Sequence, residues 1–98
     1  MARRLLVQRQ SDLDIQAAAL WYEDQRPGLG MRFLRELDEV FKRVKSNPKQ
    51  FPQLEGEVRR ALLRHFPYGV YFVEGPDDVA VLAVLHLHRE PDMWKSRT

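Results

Sequence analysis

The sequence predicts an α+β domain in the order β-α-α-β-β-β, with a helical hairpin packed on one face of a twisted, mostly antiparallel sheet. Three observations carry that prediction. Two consecutive segments of helical periodicity are joined by Pro27-Gly28. Three β-branched or aromatic runs follow, split by Pro67 and by Gly75-Pro76-Asp77-Asp78. A short apolar run, Leu5-Leu6-Val7, stands between arginines ahead of the helices. With 98 residues the chain has room for one core, so a single domain over 1–98 is expected.

Residues 3–9 read as an opening strand. Ser11, three residues before Asp14, has the spacing of a capping box, so the first helix is expected to start there. Leu13, Ala17, Leu20 and Trp21 recur at helical spacing, and Pro27, Gly28 and Gly30 stop this helix near Arg26. In the second helix Phe33, Leu37, Val40, Phe41 and Val44 fall on one stripe of a 3.6-residue period. Its other face sets Asp38 before Lys42 and Glu39 before Arg43 at i,i+4, and Asn47-Pro48 ends it. Residues 49–57 contain Pro52 and Gly56 without periodicity and read as a loop, pinned by Phe51 and Leu54. Strands are expected over 58–65, 68–73 and 79–87, the last two joined by a hairpin loop over 74–78. Residues 79–85 are apolar at both parities, which predicts a central strand covered on both faces. The face of the sheet opposite the helices is expected to be partly open, and residues 89–98 read as a polar tail.

Composition excludes several classes. The chain has no cysteine, which rules out disulfides, iron–sulfur clusters and thiol catalysis. The longest near-apolar run, 79–85, falls far short of the ~20 residues a membrane span needs. Arg3-Arg4 precede only three apolar residues, too few for a signal peptide, so the cytoplasm is the expected compartment. Net charge is only +2, but the cations cluster: Arg3, Arg4 and Arg9 in one acid-free segment, Arg59, Arg60 and Arg64 in another. Such strips suit an acidic partner, either nucleic acid or an acidic peptide.

No cofactor is implied by any motif. Ser11, Ser46 and Ser96 stand without a nucleophile motif, and Gly28-Leu29-Gly30 lies between helices, not after a strand as a phosphate loop would. His86 and His88, two apart at a strand end, point to the same face. A zinc site needs about four ligands, and nothing nearby completes one, so no metal is expected. The two imidazoles suit acid–base work instead, because they titrate near neutrality. Arg60 and Arg64 share strand parity. With His86, His88 and Arg89 they line one surface if the strands bring those faces together, and such a surface can clamp a phosphodiester or an acidic protein segment. Trp94 and Arg97, in an amphipathic end, have the chemistry of interface anchors.

The run Arg64-His65-Phe66-Pro67-Tyr68-Gly69-Val70-Tyr71-Phe72, the strand over 79–85, and the end His86-Leu87-His88-Arg89-Glu90-Pro91-Asp92-Met93-Trp94 resemble the ParE/RelE toxin superfamily. Ala18, Leu20, Trp21 and Tyr22 with Arg32-Phe33 fit its helical hairpin. The resemblance covers nearly the whole chain. It implies the toxin of a bacterial type II toxin–antitoxin pair, held with its cognate antitoxin in a complex for which a heterotetramer is one form. Antitoxin contacts are then expected at Trp21, Phe33, Leu37, Phe41 and Arg59, and target contacts at Arg64, His88, Arg89, Trp94 and Arg97. ParE-like members inhibit DNA gyrase and are not enzymes; RelE-like members cut mRNA on the ribosome without a metal. Gly69 stands where the RelE pattern has arginine, and Trp94 where it has tyrosine, so the ParE branch is favoured. The alternative is a ribosome-dependent endoribonuclease using Arg60, Arg64, His86, His88 and Arg89, the one reading that calls for direct nucleic-acid binding.

Overall fold

Backbone pairing brings the two ends of the chain together. In a computed structural model describing residues 3–98, strand β1 (Arg4–Val7) runs parallel to β5 (Asp78–His86), with Val7 opposite Val81. Positions 1 and 2 of the expected domain lie outside the described residues. Strand β5 pairs antiparallel with β4 (Tyr68–Glu74), β4 with β3 (Val58–Leu62), and β3 with a short edge strand β2 (Gln53–Glu55). The order is β1-β5-β4-β3-β2, a five-stranded, mostly antiparallel sheet carrying helices α1 (Arg9–Gln25) and α2 (Leu29–Ser46). The predicted order of helices and main strands holds. The segment read as a loop adds β2 and a 3-10 turn, η1 (Pro48–Gln50), because an edge strand needs only backbone pairing and shows no side-chain period.

Helix α2 buries the stripe read from the sequence: Phe33, Leu37, Val40 and Val44 are core, with Phe41 packed against them. The Asp38–Lys42 pair forms at 3.2 Å, but Glu39 lies 3.7 Å from Lys42 instead of pairing with Arg43. In α1 the expected face is reversed. Ser11, Ala18 and Tyr22 are its buried residues, while Leu13, Leu20 and Trp21 are exposed. Nor is Ser11 a cap: α1 already begins at Arg9, and the Ser11 hydroxyl donates to the Val81 carbonyl at 2.8 Å. The hairpin turn relies on Gly28, at φ +91°, and on Glu23, whose carboxylate accepts the Gly28 and Gly30 amides at the open start of α2. A Cβ on Gly30 would lie 2.5 Å from the Ala19 carbonyl oxygen, so only glycine allows the helices to pack this closely.

Both faces of β5 are covered, as its composition predicts. Val79, Val81 and Val84 join the helix-side core; Leu82, Ala83 and Leu85 join a second cluster on the opposite face. Pairing skips Leu82, since Tyr71 opposes Ala83 and Phe72 opposes Val81. That bulge inverts the facing of every later residue in the strand. The β4–β5 connection is Gly75-Pro76-Asp77, shorter than expected because Glu74 still pairs with Val79 and Asp78 pairs with Arg4 of β1.

The supposed polar tail is folded. Its 3-10 segment, η2 (Met93–Arg97), lies across the face opposite the helices. Trp94 is buried there, stacked on Tyr71 at 5.7 Å and 13°. The rest of that face stays open as a groove over Val58, Val73, Ala80 and Leu82.

Candidate functional site

Where α1 passes the end of β5, aromatic and cationic side chains meet at one rim. The Arg89 guanidinium lies 5.0 Å from the Trp21 ring centroid, a cation–π contact. Tyr68 and His86, paired across β4 and β5, have ring centroids 5.4 Å apart, and His88 follows 5.9 Å from His86. A groove of about 360 Å³ runs beside them, lined by Leu13, Ala17 and Trp21 of α1 and by His86, Arg89 and Glu90. Its wall is the exposed apolar stripe of α1; its end carries the charge.

The surroundings of His86 disfavour its charged form. Burial, then the Arg89 charge, then His88, push its pKa below the ordinary histidine value. The backbone N–H of His88 donates to His86 Nδ1 at 3.1 Å, so the ring hydrogen sits on Nε2. The imidazole therefore presents a donor outward, with Nδ1 engaged by the backbone. Burial likewise raises the Tyr68 phenol above its usual range, although Arg89 opposes this, so the rim's hydroxyl stays protonated.

The other candidate residues are dispersed. Arg60 pairs across from Tyr71 and lies on the sheet face opposite His86, with its stem 3.0 Å from where a Gly69 Cβ would stand. Arg64 lies beyond β3, beside α2. The single cationic surface expected from Arg60, Arg64, His86, His88 and Arg89 is thus corrected: only His86, His88 and Arg89 converge. Arg59 donates to the Phe51 carbonyl at 2.6 Å. Phe33 and Leu37 are core and present no surface, and Phe41 is only partly exposed, which leaves Trp21 as the exposed apolar member of that group. Trp94 is also core, and Arg97 forms a bidentate ion pair with Asp14 while donating to the Leu82 carbonyl. Among the described residues, no cluster of His, Asp and Glu is placed to hold a metal, and no helix is long and apolar enough to cross a membrane.

Two carboxylates organise this architecture: Asp14, expected only as part of a helix cap, and Glu36, to which the sequence assigned no role. Asp14 joins α1 to β5 and to the C-terminus through the Val84 amide and Arg97. Glu36 accepts the Arg64 amide at 2.8 Å, the His65 amide at 2.9 Å and His65 Nδ1 at 2.6 Å, fixing the β3–β4 connection to α2. A signal for Glu36 existed, since it stands three residues after Phe33 and four before Val40, at the margin of the buried stripe.

Burial alone would raise the Glu36 pKa; the donated hydrogen bonds outweigh it and hold the carboxyl below the ordinary glutamate range. A depressed folded-state pKa gives stability that is present above the unfolded value, ~4.3, and lost as pH falls through the folded one. Glu36→Gln is accordingly expected to cost about 1–2 kcal/mol at pH 7, and the gap from the parent protein should close below about pH 4. Urea unfolding of both proteins across that range checks it; a gap unchanged by pH would contradict it.

Neither a protein-family model nor a curated protein matches the sequence. Among solved structures, the chain is similar to one from the chromosomal ParDE TA system of P. aeruginosa, with a TM-score of 0.77. That likeness covers 87% of this chain and 96% of the other, at 18% sequence identity. At that identity what is shared is the fold, and this chain has the ParE-like fold to which its motifs pointed.

Proposed function

We propose that this chain is the toxin of a type II toxin–antitoxin pair, acting by inhibiting DNA gyrase and neutralised by a cognate antitoxin. The observation that carries the reading is the fold, shared over 87% of the chain with a member of a ParDE toxin–antitoxin system. Two features of the rim support it. Leu13, Leu20 and Trp21 leave an apolar stripe on α1 exposed, the surface on which an amphipathic antitoxin segment docks. Arg89, held over Trp21, supplies charge at its end for register and on-rate.

Gyrase inhibition is favoured over mRNA cleavage by the dispersal of the cleavage groups. Phosphodiester cleavage needs a base, an acid and a charge stabiliser within reach of one phosphate. Here Arg60 and His86 lie on opposite sheet faces, and the His86 lone pair is already engaged. Target contact falls to Arg89 and His88 at the rim; of the other expected contacts, Arg64 lies apart beside α2, Trp94 is core and Arg97 is paired with Asp14. The setting is cytoplasmic, where gyrase works, and the resting form is a toxin–antitoxin complex.

The test is supercoiling of relaxed plasmid by gyrase in the presence of the purified protein. Supercoiling should stop, and ribosome-bound mRNA in a translation extract should stay intact. Normal supercoiling at a large excess of protein would dismiss the reading, and new mRNA ends in the extract would establish the endoribonuclease in its place.

A further inference from the structure

A third groove, of about 510 Å³, lies between α2 and the connection from β3 to β4, away from the Trp21 rim. Four arginines line it, Arg32, Arg35 and Arg43 from α2 and Arg64 from the connection, against two glutamates, Glu36 and Glu39. Both acids have partners within the protein. Glu36 takes the amides of Arg64 and His65 and the His65 ring; Glu39 lies 3.7 Å from Lys42. Arg43 rests 5.7 Å from the Phe51 ring centroid. Arg32, Arg35 and Arg64 are exposed, and among the described residues none has a carboxylate partner.

This is more than a solvated charge run. Arg32 and Arg35, one turn apart, share a side of a rigid helix. The Glu36 clasp fixes the backbone of Arg64 against that same helix, and Arg64 lines the groove together with the other two. Like charges gathered around one concavity raise its potential and repel each other, and a polyanion relieves both effects.

We infer that this groove binds the phosphodiester backbone of a nucleic acid, without regard to base sequence. The planar guanidinium fork matches phosphate oxygens in pairs. An acidic peptide offers the same charge but docks through apolar anchors as well. The aliphatic residue lining this groove, Val40, is 2% exposed, and none of the exposed large apolar residues, neither those of α1 nor Met31 and Leu34 of α2 or Leu62 of β3, lines it. Charge without anchors is the character of backbone binding. The assignment stands apart from the gyrase reading, since it uses a different surface and its readout is binding alone.

Fluorescence anisotropy of the full chain with a short labelled DNA duplex, and separately with a single-stranded RNA, tests it. The logarithm of the binding constant should fall against the logarithm of salt concentration with a slope of about −2 to −3, reflecting about three phosphate contacts. Which polymer binds more tightly identifies the natural source. The Arg32→Gln/Arg35→Gln/Arg64→Gln protein should bind at least ~10-fold more weakly at low salt and lose most of that slope. Removing the same charge at Arg4, Arg9 and Arg26 should change binding by less than ~3-fold, the non-specific share. Equal losses from both triple variants, no loss from the first, or tighter binding of a glutamate-rich peptide than of either polymer would overturn the assignment. Circular dichroism of each variant establishes that it is folded.

Discussion

Replacing Trp94 by alanine is expected to destabilise the protein by about 3–5 kcal/mol and lower its melting temperature by more than ~10 °C. The indole is 5% exposed and lies in a cluster with Val58, Tyr71, Leu82 and Leu85. It stacks on Tyr71, and its Nε1–H donates to the Pro91 carbonyl at 3.0 Å. Truncation to alanine leaves a cavity in the cluster that covers this sheet face. Thermal unfolding followed by circular dichroism measures the effect, and Trp94→Phe should recover much of the loss by restoring the stack. A shift of only a degree or two for alanine would show that η2 contributes little to the core. The consequence for function is direct. Deleting 91–97 removes part of the fold, so under the proposed function a loss of toxicity after that truncation reports on stability as well as on target contact. This corrects the expectation that residues 89–98 form a polar tail.

The second large effect is expected at the ion pair joining the two ends of the chain. Arg97→Ala should cost about 2–4 kcal/mol, toward the lower end of what breaking a buried pair costs, because the two side chains keep 11% and 14% exposure. Strand β1 ends at Val7, opposite Val81, so the neighbouring edge of β5 loses its strand partner there. Side chains replace that partner. Ser11 donates to the Val81 carbonyl, Asp14 accepts the Val84 amide, and Arg97 donates to the Leu82 carbonyl while paired with Asp14. Without Arg97 the Leu82 carbonyl loses a donor and Asp14 loses its counter-charge. A double-mutant cycle with Asp14→Ala should give a coupling energy above about 1 kcal/mol by urea unfolding. Strictly additive costs would mean that the two residues act separately.

The stripe of α2 was legible because a helix buried along one side writes its period into Phe33, Leu37, Val40 and Val44. The corresponding reading of α1 failed. Its Leu13, Leu20 and Trp21 keep the same spacing but face outward, and its inner positions are filled by Ser11, Ala18 and Tyr22. An apolar stripe left on the surface looks, in sequence, the same as one turned to the core. The tail misled for a related reason: a single tryptophan among polar residues shows no period, yet it is enough to anchor a 3-10 turn across the sheet.

By itself the sequence determined the order and kind of the helices and main strands, because helical and strand periods and the breaks made by proline and glycine are local properties of the chain. It also placed β5 inside the sheet, through apolar side chains at both parities. Which cations share a surface was decided only in three dimensions. The bulge at Leu82 turns His86 to the helix side, beside Tyr68, while Arg60 stays opposite with Tyr71, so one extra residue in a strand separates groups that simple alternation would have placed together.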